Sequence, residues 1–144
     1  MSASKHFSQE EKNAIVNAVK RAELNTSGEV RVHIESNCRG EVLDRAAVVF
    51  EKLEMHKTEL RNGVLFYLAM KSKKFAVIGD GGINAQVPEN FWNDIKADMA
   101  KAFSSGDFAG GLSKGIEATG EQLKSFFPYQ EDDVNELNDD ISFG

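Results

Sequence analysis

Four oxygen-bearing side chains of this chain have types and positions that suit metal chemistry: Glu29, Asn62, Asp80 and Asp107. Carboxylate and amide oxygens are the ligands that hard divalent cations such as Ca²⁺ and Mg²⁺ take in proteins. The same residues also suit turns and helix caps, because Gly-Asp-Gly is a common turn sequence and an aspartate often caps a helix. Residue type alone leaves both interpretations open. The predicted positions of the elements that carry these side chains distinguish between them.

The hydrophobic pattern predicts the element order α-β-α-β-β-α-α. Ser8 and Glu11 form a capping-box pattern, and residues 29–35 alternate as a strand with one polar face. The remaining expected elements are a helix over about 41–57, strands near 63–70 and 74–79, a helix after Pro88 and a glycine-containing helix ending before Pro128. We predict an α/β fold, a three-layer α/β/α sandwich in which helices flank a small mixed sheet.

This topology places the four oxygen-bearing side chains. The first two strands are joined by a helix and are expected to be parallel, while the third runs antiparallel to the second. The start of strand 1, the start of strand 2 and the end of strand 3 then meet at one edge of the sheet, here called the acidic rim. They carry Glu29, Asn62 and Asp80, and we expect the loop with Asp107 to reach the same rim. The sequence therefore predicts a divalent-cation site there, and turns or caps are the alternative.

Composition restricts the class of protein. The chain has 144 residues and a net charge of −6, but residues 131–140 hold six of its 23 acidic side chains and no basic one. The rest of the chain is therefore neutral, with 17 acidic and 17 basic residues, which argues against nucleic-acid binding. We predict a single domain over residues 1–130 and a flexible acidic tail over 131–144.

The sequence also indicates a location. It has one cysteine, no apolar leader and no apolar run long enough to span a bilayer, so we expect a cytoplasmic monomer without membrane insertion. Two weaker chemical candidates are His33 and Glu35, which share the polar face of strand 1 and are expected to be a solvated pair rather than metal ligands. Arg61 is the nearest arginine to the acidic rim that could hold a phosphate.

Four segments in the expected order resemble the TPM domain family. They are the strand opening Thr26–Val30, the strand Asn62–Phe66, the strand and glycine loop Phe75–Gly82, and the Gly-Asp-Phe with Gly-Leu of Gly106–Leu112. The resemblance covers about residues 26–127. Unlike this chain, family members usually carry a signal sequence, often with a membrane anchor or a glycine-rich tail.

The resemblance implies a fold, a metal site and an acid-phosphatase activity. It implies an α/β/α sandwich and a divalent-cation site, often for calcium, in loops at one edge of the sheet. By position it assigns Glu29, Asp80 and Asp107 to that site, with Asn62 in support. Three functions remain open: a cation-binding module that acts through a protein partner, a metal-dependent acid phosphatase on small phosphomonoesters, or a plain interaction domain with structural carboxylates.

Overall fold

The computed structural model describes residues 3–129 and 137–144. The α-helices are α1 (Gln9–Asn25), α2 (Val42–Lys52), α3 (Gly81–Asn84), α4 (Asn93–Ser104) and α5 (Phe108–Leu123), and the strands are β1 (Glu29–Glu35), β2 (Gly63–Ala69), β3 (Lys74–Gly79) and β4 (Ser142–Phe143). Two short 3₁₀ helices cover Ala3–His6 and Met55–Lys57. The predicted capping box is present, because Ser8 and Glu11 each accept a backbone N–H of the other.

The sheet has the strand order β3-β2-β1-β4. β1 and β2 are parallel over seven residue pairs, from Glu29 with Gly63 to Glu35 with Ala69, and β3 is antiparallel to β2. Both pairings confirm the predicted topology. β4 was not predicted, and it pairs with the outer side of β1.

Two apolar cores lie on the two faces of the sheet. On one face, Val30, Val32 and Ile34 of β1 pack against α1, α4 and α5. On the other face, Leu65 and Tyr67 of β2 pack against α2. Helices therefore cover both faces, which is the predicted α/β/α sandwich.

The close packing of α5 explains one of its glycines. A Cβ at Gly120 would lie 2.6 Å from the Cα of Ala22 on α1, far closer than carbon atoms can approach. The glycine therefore allows the two helix backbones to touch, as the glycine content of this helix predicts.

Three boundaries differ from the sequence prediction. The second helix ends at Lys52, because Glu54 has a left-handed backbone (φ +58°) that no α-helix continues. The glycine loop after β3 is a short helix, α3, capped by Asp80. The predicted tail contains a short strand, since residues 137–144 lie against the sheet and include β4. Residues 131–136 lie outside the described part of the chain.

Candidate functional site

The acidic rim brings together three of the four predicted ligands. Glu29 starts β1 and donates its backbone N–H to the carbonyl of Asn62 (3.0 Å), while Asp80 follows β3 and donates its N–H to the carbonyl of Gly63 (2.8 Å). All three side chains are buried, with Glu29 5%, Asn62 3% and Asp80 6% exposed. Buried carboxylates are costly unless they are paired, so their partners matter.

Asp80 is neutralised by an arginine. Arg61 donates from Nε and Nη2 to the two oxygens of Asp80, both at 2.7 Å, and the backbone N–H of Gly81 donates to Oδ1. Burial alone would raise the pKa of Asp80, but these donors outweigh burial and lower it. Gly82 packs so closely on the carbonyl oxygens of Leu60 and Arg61 that no side chain fits there. That contact holds the loop of Arg61, a residue with a left-handed backbone (φ +51°), above Asp80.

An open cleft of about 430 Å³ lies beside this ion pair. Its polar lining includes His56, Arg61 and Asp80, and Phe50 and Ile78 form part of its apolar wall. The buried Nδ1 of His56 has no hydrogen-bond partner within the described residues. The cleft therefore combines a cationic side chain with an unsatisfied ring nitrogen.

Glu29 and Asp80 lie on opposite sides of β2. Gly63 lies between them on β2, and a Cβ there would be 3.2 Å from the carbonyl oxygen of Met55 and 3.7 Å from Leu137 Cδ1. Met55 and Leu137 thus cover the space between the two carboxylates. Within residues 3–129 and 137–144, no three acidic, histidine or cysteine side chains are grouped so that they could hold a metal ion.

Asp107 lies at the opposite rim of the sheet, so the expectation that its loop reaches the acidic rim is wrong. The chain after α5 returns to the start of β1, where Phe127 accepts the N–H of Ser27 at 2.9 Å. The other end of α5 therefore points away, and Phe108 stacks on Phe103, which contacts Phe75 near the hairpin turn. Asp107 caps α5 there by accepting the Gly110 N–H at 2.9 Å.

Sequence reasoning missed two further carboxyl groups that lie at the acidic rim. Glu23, in the last turns of α1, accepts the N–H of Val30 at 3.2 Å and is hydrogen-bonded to the side chain of Asp139. Burial, the bond to Asp139 and the charges of Asp139 and Glu29 raise the pKa of Glu23 to about 9. Glu29 in turn accepts the N–H of Leu137 at 2.8 Å. No local pattern in the sequence indicates this cluster, because residues 137–139 reach the rim only when β4 joins the sheet.

Comparisons with known proteins identify the family. The TPM domain model matches residues 2–122 of the chain. The chain belongs to the TPM domain family. The NMR structure of the BA42 protein from the psychrophilic bacterium Bizionia argentinensis is similar, with 45% sequence identity, a TM-score of 0.89 and 94% of each chain covered. None of the curated proteins gives a significant match.

Two more distant structures have the same fold. They are the N-terminal domains of a protein from P. gingivalis and of cg2496 from Corynebacterium glutamicum. Identities are 17% and 14%, with TM-scores of 0.72 and 0.66. They cover 87% and 82% of this chain, and 82% and 74% of their own lengths. Within the part of this TPM domain that the structure describes, no helix has the length and apolar character needed to cross a bilayer.

A second polar cluster of this TPM domain lies on the polar face of β1, far from the acidic rim. Glu35 accepts from Nε and Nη2 of Arg45, both at 2.8 Å, from Tyr67 Oη, and lies 3.1 Å from His33 Nε2. Burial would raise the pKa of Glu35, but these bonds lower it to about 2. His33 and Glu35 are only 7% and 6% exposed, so the expected solvated pair is wrong. Ser142 of β4 closes the cluster, with Oγ 2.9 Å from His33 Nδ1.

Proposed function

We propose that this TPM domain binds a divalent cation, most simply Ca²⁺, at the start of β1, and that the cation fastens residues 137–144 to the sheet. The observation that carries the proposal is the hydrogen-bonded pair of carboxyl groups, Glu23 and Asp139, on which the charge of Glu29 also acts. Within the described residues these three side chains are not grouped as a metal site, so the cation would have to draw Glu29 and the pair together. Two hydrogen-bonded carboxyl groups must share a proton, because two adjacent carboxylates repel. A divalent cation can take the place of that proton and satisfy several oxygens at once.

Asn62 offers a further oxygen at the same rim. Its Nδ2 donates to the carbonyl of Ser27 at 2.7 Å, which leaves the amide oxygen as the atom free to accept. That oxygen is buried and has no hydrogen-bond partner within the described residues. A buried unsatisfied acceptor costs free energy, so a cation or a water nearby would stabilise it. The proposal therefore retains Glu29 and Asn62 and adds Glu23 and Asp139.

The other two expected ligands have different roles in the proposal. Asp80 is already neutralised by Arg61, and Asp107 caps α5 at the opposite rim. The cation would act by ordering the segment that carries Asp139, because Glu23 and Glu29 belong to the body of the domain. The domain is then a cation-responsive binding module that works through a protein partner.

A titration of the metal-stripped protein with Ca²⁺ and then Mg²⁺ tests this proposal. Isothermal calorimetry should detect binding, and amide NMR shifts should centre on residues 23, 29, 62 and 139. The double variant Glu23→Gln with Asp139→Asn should lower the affinity for Ca²⁺ by about tenfold or more, since it removes two charged ligands. The control variant Asp98→Asn alters an exposed carboxylate on α4 and should bind as the wild type does. Shifts confined to residues 131–136 would contradict the proposal.

A second function, a metal-dependent acid phosphatase, is favoured by the cleft next to Asp80. Asp80 takes the Nε and Nη2 donors of Arg61, so a phosphoryl group would be held through Nη1 and the second N–H of Nη2. A bound metal would polarise the phosphoryl oxygen. Hydrolysis of p-nitrophenyl phosphate with added Ca²⁺ or Mg²⁺ at pH 5 tests it, and Arg61→Gln should lower kcat/KM by at least tenfold. Absence of hydrolysis in the wild type would remove this function and leave the cation titration unaffected.

A further inference from the structure

The outer side of β1 is covered by a short segment of the same chain. β4 pairs with β1 only at His33–Ser142 and Ile34–Phe143, and Gly144 adds one N–H bond to the carbonyl of Ile34 at 3.0 Å. On its other side β1 pairs with β2 over all seven residues. An uncovered edge strand presents unpaired N–H and C=O groups that attract another strand. β1 therefore needs a cover, and its present cover has few backbone bonds.

The segment is held by contacts that depend on the identity of each residue. The hydroxyl of Ser142 bonds the ring of His33, and Lys12 Nζ lies 5.5 Å from the ring centre of Phe143. A Cβ at Gly144 would lie 2.7 Å from Glu35 Oε1 and 2.8 Å from His33 Nε2. The polar cluster on β1 therefore admits a hydroxyl at one position and only a glycine two positions later.

A groove beside the segment adds charge complementarity. It is an open cavity of about 440 Å³ between α1 and residues 140–143, with Lys12 and Lys20 on the helix side and Asp140 on the segment side. Lysines on α1 thus face the acidic residues that precede β4. Residues 141–143 are only half-buried, so the segment lies in the groove without being enclosed by it.

We propose that the outer side of β1 and the α1 groove form a peptide-binding site that works by β-strand addition. Its ligand is an extended segment of a partner protein in which acidic residues precede an apolar residue, serine, an aromatic residue and glycine. Residues 137–144 are the built-in occupant, which a partner segment of the same chemistry replaces. Backbone hydrogen bonds give such a site its affinity, and the pockets for alternate side chains give it specificity. The site does not require a bound cation.

The test uses the full chain in EDTA, so that no cation contributes. The probe is a fluorescein-labelled peptide, Asp-Asp-Ile-Ser-Phe-Gly, followed by fluorescence anisotropy. The variant Gly144→Leu should release the built-in segment, because its side chain would overlap His33 and Glu35. It should bind the peptide at least about tenfold more tightly than the wild type, since the built-in occupant no longer competes. A control peptide with alanine for serine and leucine for glycine should not bind.

NMR shows whether each variant releases residues 137–144 from β1. Amide shifts of residues 29–35 report whether the segment has left β1, and circular dichroism confirms that the domain is folded. Phe143→Asp provides a second way to release the segment. Release without peptide binding would overturn the proposal, and so would a segment that stays in place in both variants. Because the experiment contains no cation, its failure would leave the proposed cation site standing.

Discussion

Glu23 and Glu35 show that partners, rather than burial alone, set the charge of a carboxyl group. Burial raises the pKa of both. Glu35 receives hydrogen bonds from Arg45, Tyr67 and His33, and its pKa falls to about 2. Glu23 meets another carboxyl group, Asp139, and its pKa rises to about 9. Glu35 therefore stabilises the fold at neutral pH and loses that contribution as the pH falls from 4.5 towards 2, whereas Glu23 favours the protonated form.

The pKa of Glu23 predicts an unusual slope of stability with pH. Between its ordinary value of 4.5 and about 9, the folded protein keeps a proton on Glu23 that the unfolded chain has released. Stability should therefore fall as the pH rises through that window, by about 1 kcal/mol per pH unit or less, because Glu23 is partly exposed. Glu23→Gln, which mimics the protonated form, should remove this slope.

Urea unfolding of metal-free protein at pH 5, 6, 7 and 8 measures the effect. The difference in unfolding free energy between Glu23→Gln and the wild type isolates Glu23 from other groups that titrate, such as His33. As the pH rises, the unfolding free energy of Glu23→Gln should increase relative to that of the wild type. Glu117→Gln, at an exposed carboxylate that contacts Arg21 on the surface, serves as the matched control and should show a constant difference. If unfolding free energy depended on pH in the same way for Glu23→Gln and the wild type, the folded protein would not keep a proton on Glu23.

At the scale of elements, local signals in the sequence predicted the helices and strands that form independently of distant partners. The capping box of Ser8 starts α1 as predicted, and the alternation of residues 29–35 is β1. β4 has only two residues and no alternating pattern, and it exists because β1 offers it an edge. Glu23 and Asp139 meet only through that pairing. The missed part of the candidate site is therefore the part that depends on long-range contacts.

The direction of α5 is the second feature that local sequence patterns could not predict. The sequence predicts a helix before Pro128 but not which of its ends faces the acidic rim. That choice is made by the contact of Gly120 with Ala22 and by the bond between Ser27 and Phe127. Both contacts join residues about a hundred positions apart. They place the end of α5 at the start of β1, so Asp107, at the beginning of α5, lies far from Glu29.

Considered as a whole, the molecule separates its polar functions between two rims and one edge of the sheet. The acidic rim holds Glu23, Glu29 and Asn62. The opposite rim holds the basic hairpin turn after β2 and the cap of α5. The outer side of β1 connects the rims, since residues 137–144 run along it from Glu29 to Glu35. Asp107 lies on α5 rather than on this connection, so a change at Asp107 should leave binding at the acidic rim unaffected.

Asp107 tests this separation, because the sequence assigns it to the cation site and the structure assigns it to a helix cap. Asp107→Ala should lower the free energy of unfolding by about 1 kcal/mol, the usual cost of losing an N-cap. Asp107→Asn should be nearly as stable as the wild type, since asparagine caps a helix as well as aspartate does. Urea unfolding measures both. The Ca²⁺ affinity of both variants, from calorimetry, should equal that of the wild type, because neither touches Glu23, Glu29 or Asp139. A several-fold loss of Ca²⁺ affinity in the stable Asp107→Asn variant would show that Asp107 serves the cation after all, and that the two rims are coupled.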